Sequence, residues 1–161
     1  MTGVPKYEAL GFQLRHGRAA YLLELETLAD LPADFMWPAR RFTCLLMLDA
    51  AGPAAASLLE FAERLIRAGC VYVCAWGNRC EYVHDIFDET LVELDIGGTP
   101  FGTVMTTWHA DEPLAHTVDF FAVWAQPDDE LKADCDAAIA IAVANPAWAT
   151  EARTLLERHA V

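Results

Sequence analysis

The chain has 161 residues, which suits one domain and is long enough to bury a core without staples. Its 24 acidic and 11 basic residues give a formal net charge of -13, which sets most of the surface against phosphate backbones and anionic bilayers. Nucleic acid and membrane are therefore not expected as partners. Basic proteins and metal ions stay compatible with the charge, whose simplest effect is solubility. A hydrophobic fraction of 55% excludes wholesale disorder, and no apolar run approaches the ~20 residues of a membrane helix. The first ten residues have no apolar signal-peptide core. The cysteines (Cys44, Cys70, Cys74, Cys80 and Cys135) are odd in number, and three lie in strand-like apolar runs. That pattern fits reduced, buried thiols in a bacterial-type cytoplasm or another reducing compartment.

Residues 1–19 read as loop, with one short strand at 11–14. Residues 21–27 alternate: Tyr21, Leu23 and Leu25 against Glu24 and Glu26. That predicts a strand with one wet face, at the edge of a sheet; Leu22 breaks the alternation, and a short helix is the rival. Residues 31–41 connect to an almost wholly apolar strand at 42–48, which ends at Asp49. Gly52-Pro53 leads into an amphipathic helix over 53–68, stopped by Gly69.

A second strand, 70–75, ends at Trp76-Gly77. The helix that follows runs from Arg79, and Asn78 with Glu81 has capping-box spacing. Residues 95–101 read as loop. The third strand, 103–107, ends at Trp108-His109, and Asp111 caps a helix over 111–126 with Pro113 in its first turn. The fourth, 137–144, alternates Ile139, Ile141 and Val143 with alanines. Asn145-Pro146 caps the last helix.

Four strand–helix units predict a single α/β domain over 1–161, with 1–41 as N-terminal loop and edge strand. The expected architecture is three-layer and flavodoxin/Rossmann-like: a mostly parallel sheet, helices on both faces and an N-terminal edge strand. A ligand crevice then lies at the carboxyl ends of the strands. If the 42–48 and 103–107 strands are neighbours, Asp49 and His109 share that crevice as an acid–base or metal pair. Alternatively, Asp49 caps its own turn and His109 bonds a loop carbonyl. Trp76, Gly77, Trp108 and Asp111 complete the strand-end set, the two tryptophans as walls for a planar ligand. Cys80, His84 and Asp88 share one line of a helix but span roughly 12 Å, so they read as a boundary stripe. Cys70 and Cys74 read as core, and Glu81, Asp85 and Glu89 as a solvated face.

No dinucleotide fingerprint, P-loop or nucleophile elbow occurs. The segments 74–85 (Cys-Ala-Trp-Gly-Asn-Arg-Cys-Glu-Tyr-Val-His-Asp) and 106–113 (Thr-Thr-Trp-His-Ala-Asp-Glu-Pro) resemble parts of a small group of uncharacterised bacterial α/β proteins. The resemblance covers mainly residues 42–126 and implies no activity.

With no complete catalytic set, the expected role is a non-catalytic ligand- or protein-binding module, with no cofactor or metal. It uses the strand-end crevice, the exposed face of the third helix, or both. Phe120 and Val123 lie off that helix's core stripe and predict an interface, with a second copy or a protein partner. The alternative is a small hydrolase or transferase for a small or nucleotide-like substrate, centred on Asp49 and His109.

Overall fold

The computed structural model describes residues 5–97 and 102–161. Among these are six strands, β1 (Glu8–Gln13), β2 (Ala19–Leu25), β3 (Arg41–Met47), β4 (Cys70–Trp76), β5 (Met105–His109) and β6 (Cys135–Val143). Five α-helices accompany them: α1 (Ala55–Ala68), α2 (Cys80–Ile96), α3 (Leu114–Val123), α4 (Asp129–Lys132) and α5 (Pro146–Glu157). One sheet runs in the order β1-β2-β6-β3-β4-β5. Only β1 pairs antiparallel; the other pairings are parallel.

Alternation along the strands splits the core in two. On β6, Ile139, Ile141 and Val143 pack with β3's Phe42, Cys44 and Leu46 against α1 and α2. The intervening Ala138, Ala140 and Ala142 join Leu45 and Met47 beneath α3 and α5. The small side chains admit α5, whose own contacts are Ala149 and Ala152 with Leu155 and Leu156. Strand period and high alanine content are thus reconciled: one β6 face carries bulk, and the other accommodates a close helix.

Helix ends follow their local chemistry. Gly69 closes α1 at φ +112°, and a Cβ there would lie 2.0 Å from the Arg40 carbonyl oxygen. Asn145 caps α5 by accepting the Trp148 N–H at 3.3 Å, with Pro146 in the first turn. Two expected caps are not formed. Asn78 does not cap α2; Arg79, at φ +59°, precedes that helix, and Asn78 donates instead to Asp49. Asp111 sits at φ +56° and is exposed, and α3 begins after Pro113.

The 21–27 segment is not the sheet edge. β2 lies between β1 and β6, and the edge on that side is β1. Strands pair with β2 on both sides, and Leu22, buried on the α3–α5 side, gives it two covered faces as well. The third strand lies two residues later than expected, which places Trp108 and His109 inside it. The 95–101 loop begins later, because α2 runs through Ile96; residues 98–101 lie outside the described residues. Among the described residues no helix is long and apolar enough to cross a membrane.

Candidate functional site

β3 and β6 are neighbours, yet the helices that follow them lie on opposite faces of the sheet. Their carboxyl ends therefore part, and a cleft of about 570 Å³ opens there. Three connections wall it. The turn after β2 gives Glu26, Thr27 and Leu28; the β3–α1 turn and the start of α1 give Leu48, Asp49 and Ser57; the end of β6, the turn after it and the start of α5 give Val143, Asn145 and Trp148. Each wall is fixed locally. Thr27 N–H donates to Asp30 Oδ2 at 2.9 Å. Ala144 takes φ +57°, a strained value for a residue with a Cβ, and its N–H donates to Leu25 O at 2.7 Å. That bond ties the ends of β2 and β6 together.

Asp49 belongs to this cleft. Its Oδ1 accepts from Ala51 N–H at 3.0 Å and Asn78 Nδ2 at 3.2 Å. No bond to Oδ2 occurs among the described residues, so that oxygen is available to a ligand. The α1 and α5 N-termini also reach the cleft, each carrying about half a positive charge. Against them stand the Glu26 and Asp49 carboxylates, both exposed. The balance is about one negative charge, over a floor of Leu28, Leu48, Val143 and the Trp148 ring.

His109 lies elsewhere. β4 separates β3 from β5, so the strands carrying Asp49 and His109 are roughly 10 Å apart and do not form the expected neighbouring pair. Each residue has other partners. His109 Nδ1 lies 2.6 Å from Glu112 Oε1, and its Nε2 lies 3.0 Å from Thr107 Oγ1. An ionised carboxylate only accepts, so Nδ1–H donates to Glu112 and Nε2 accepts the Thr107 hydroxyl proton. Thr117 also donates to Glu112 Oε1 at 3.2 Å, and Trp76 Nε1 donates to the Glu112 carbonyl at 2.9 Å. Tyr72 and Cys74 lie near the same Thr107 hydroxyl, which partly offsets the upward push of burial on both. Burial pushes the Cys74 thiol up to about 12 and also raises the Tyr72 phenol. Both groups are therefore neutral in this corner.

The tryptophans do not face one another. Register pairs Ala75 with Trp108 and Trp76 with His109, so alternation sends the two rings to opposite faces. Trp76 packs edge-on to Trp148 at 5.2 Å; Trp108 meets the His84 ring at 4.5 Å on the α2 side. A planar ligand between them is excluded. Gly77 serves the backbone. At φ +120° its absent Cβ leaves room for the Leu48 carbonyl, which that atom would approach to 2.2 Å. Phe120 and Val123 are half-buried against the α3–α5 core, with Phe120 beside the His109 ring at 4.8 Å. Trp124, beyond α3, is the more exposed apolar group at 70%.

The α2 line holds as a boundary stripe. Cys80 is buried, His84 is half-buried between Asp85 and Asp88, and Asp88 also accepts from Thr106 at 2.8 Å. Among the described residues no three His, Cys, Asp or Glu side chains are placed to hold a metal ion together. All five cysteines are free and buried, and burial raises the thiol of Cys44 well above its usual range.

Sequence alone does not join Glu26, Thr27, Asn145 and Trp148 to Asp49 as one site, nor does it give His109 its partners. For the second cluster it does hold a signal: the i, i+3 spacing of His109 and Glu112, with a threonine two residues before the histidine.

The family described as a domain of unknown function, DUF7684, matches residues 20–159. The chain belongs to the DUF7684 family. The match extends well beyond the 42–126 resemblance and takes in β2, β6 and α5, so every wall of the cleft lies within the DUF7684 domain. No curated protein matches the chain.

Proposed function

We propose that the protein is a binding module that holds a small organic molecule in the cleft at the carboxyl ends of β2, β3 and β6. One observation carries this reading. A cavity of about 570 Å³ with an apolar floor sits where the helices after β3 and β6 diverge, with a free Asp49 oxygen on its wall. The helices on both faces and this divergence support a doubly wound, three-layer classification in the flavodoxin/Rossmann sense. The charge balance favours a ligand with an amine or another positive donor, and the Trp148 ring favours a flat apolar body. No cleft wall supplies a residue of the His109 network, which is why binding is preferred to catalysis.

The test pairs native mass spectrometry of freshly purified protein with calorimetric titration of an arylalkyl amine and the arylalkyl carboxylate of the same carbon skeleton. The expected result is saturable binding of the amine, lost in Asp49→Asn and weakened in Trp148→Ala. Preference for the carboxylate, or amine binding indifferent to both substitutions, would overturn the reading.

An enzymatic reading rests on a separate observation. The Thr107–His109–Glu112 line has the order hydroxyl, imidazole, carboxylate that activates a nucleophile in acyl transfer. It predicts that Thr107→Val abolishes burst labelling by an activated ester while the fold is kept. Unchanged labelling would make the line structural.

A further inference from the structure

The opposite end of the sheet carries the opposite charge. A second cleft, of about 550 Å³, opens at the amino ends of β3 and β4, and Arg40, Arg41 and Arg67 line it. Those three are drawn from only 11 basic residues in the whole chain. Ile66, Val71 and Leu131 form its apolar floor. We infer that this cleft is a binding site for a phosphate group, held by Arg40, Arg41 and Arg67.

Arg40 and Arg41 are available for exchange. Arg40 is 79% exposed and reaches Asp134 only at 3.9 Å. Arg67 pairs with Glu63 at 2.9 Å, one helical turn away and half exposed. An exposed pair as long as Arg40–Asp134 contributes little and yields to a better acceptor. The Arg41 guanidinium makes no bond among the described residues, although the residue is half-buried. A guanidinium fork suits two oxygens of one phosphate better than a lone carboxylate oxygen.

A buried charge points the same way. Arg18 is 4% exposed and has no carboxylate partner among the described residues. Its Nη1 donates to Ala125 O at 3.2 Å and its Nη2 to Gln126 Oε1 at 2.8 Å, while Nε has no acceptor. The Arg18 guanidinium lies close enough to the Cys135 thiol to offset part of the upward push of burial on it, and Cys135 packs on Val71 and Leu131, both of the cleft floor. One side chain therefore separates an uncompensated guanidinium from the site. Arg40, Arg41 and Arg67, with Arg18 behind them, stand against Glu63, Asp134, Asp136 and the C-terminus of α1, about half a negative charge, so the balance is positive by about half a charge. The chain's net -13 repels anions at long range, but screening within about 8 Å leaves contact to the local groups.

The test is titration of the full chain with inorganic pyrophosphate, followed by calorimetry, at low and moderate salt. Saturable binding that weakens with salt, and weakens about ten-fold in Arg41→Ala, is expected. Arg41→Lys keeps the charge and should fall between the two. Should Arg41→Ala fail to fold, Arg40→Ala at an exposed position reads the same contact. Arg153→Ala, which removes a guanidinium paired with Glu8 far from this cleft, should bind as wild type. Phenyl phosphate binding more tightly than inorganic phosphate would assign an organic phosphate that uses the apolar floor; equal binding would assign the anion alone. No saturable binding, or equal binding by the Arg41, Arg40 and Arg153 variants, would overturn the inference.

Discussion

The cleft between β3 and β6 and the corner between β5 and α3 divide space and chemistry between them. The cleft has room, an apolar floor and two carboxylates, but its polar groups are few and face solvent. In the corner, hydroxyl, imidazole and carboxylate groups meet at hydrogen-bond distance, beside the buried Tyr72 and the half-buried Phe120. Strand order causes the difference. The helices after β3 and β6 leave in opposite directions and open a gap, whereas the β5–α3 turn folds back so that α3 covers β4 and β3 and brings Glu112 and Phe120 onto His109. A dense polar network therefore need not mark the binding site. A buried network that satisfies its own donors contributes to the shape of the fold, while a group left with a free lone pair in an open cleft is the better ligand contact.

The largest expected effect would break the cleft itself. Gly77→Ala places a Cβ on the Leu48 carbonyl at a backbone angle that L-residues avoid. It should cost about 3 kcal/mol or more, read as a lower urea midpoint, and should abolish cleft binding because Leu48 and Asp49 shift. Next, Glu112→Ala leaves the His109 and Thr117 donors without their acceptor. A loss of about 1–3 kcal/mol is expected, with amine binding in the cleft unchanged. Equal loss of binding would show that the two regions are not separate.

A pH series sharpens the same contrast. Burial raises the Cys74 thiol from 9.0 to about 12 in the folded chain. Below pH 9 the thiol is neutral folded or unfolded, and stability is unaffected. As pH rises from about 9 toward about 12, the unfolded chain ionises first and the folded state loses stability. Thermal unfolding midpoints should fall over that window, less so in Cys74→Ala. The smallest effect belongs to Asp49→Ala. Its two bonds are exposed, so the stability change should be about 1 kcal/mol or less, while affinity for the amine falls at least ten-fold.

The signals legible in the sequence are those closed within a few residues. Gly69 after a helical stripe, Asn145-Pro146 before another, and the apolar runs of β3 and β6 all sit where their own chemistry places them. Strand order is a long-range property and is not legible in this way. The expectation that Asp49 and His109 share a crevice rests on it, and β4 intervenes. Leu22 does carry a sign, since it falls on the face with Glu24 and Glu26 that a strand with one wet face would leave to solvent, and there it is buried. The spacing of Asp111 to Pro113 allows a cap, but α3 begins later, with Glu112 drawn to His109 and Thr117.

The most direct measurement is an amide proton–nitrogen NMR titration with the arylalkyl amine. Shifts confined to Thr27, Asp49, Ala51, Asn145 and Trp148, with Thr107, Glu112 and Phe120 unmoved, are the predicted result. Shifts centred on the β5–α3 corner, or none at saturating amine, would contradict the assignment of the cleft as the binding site.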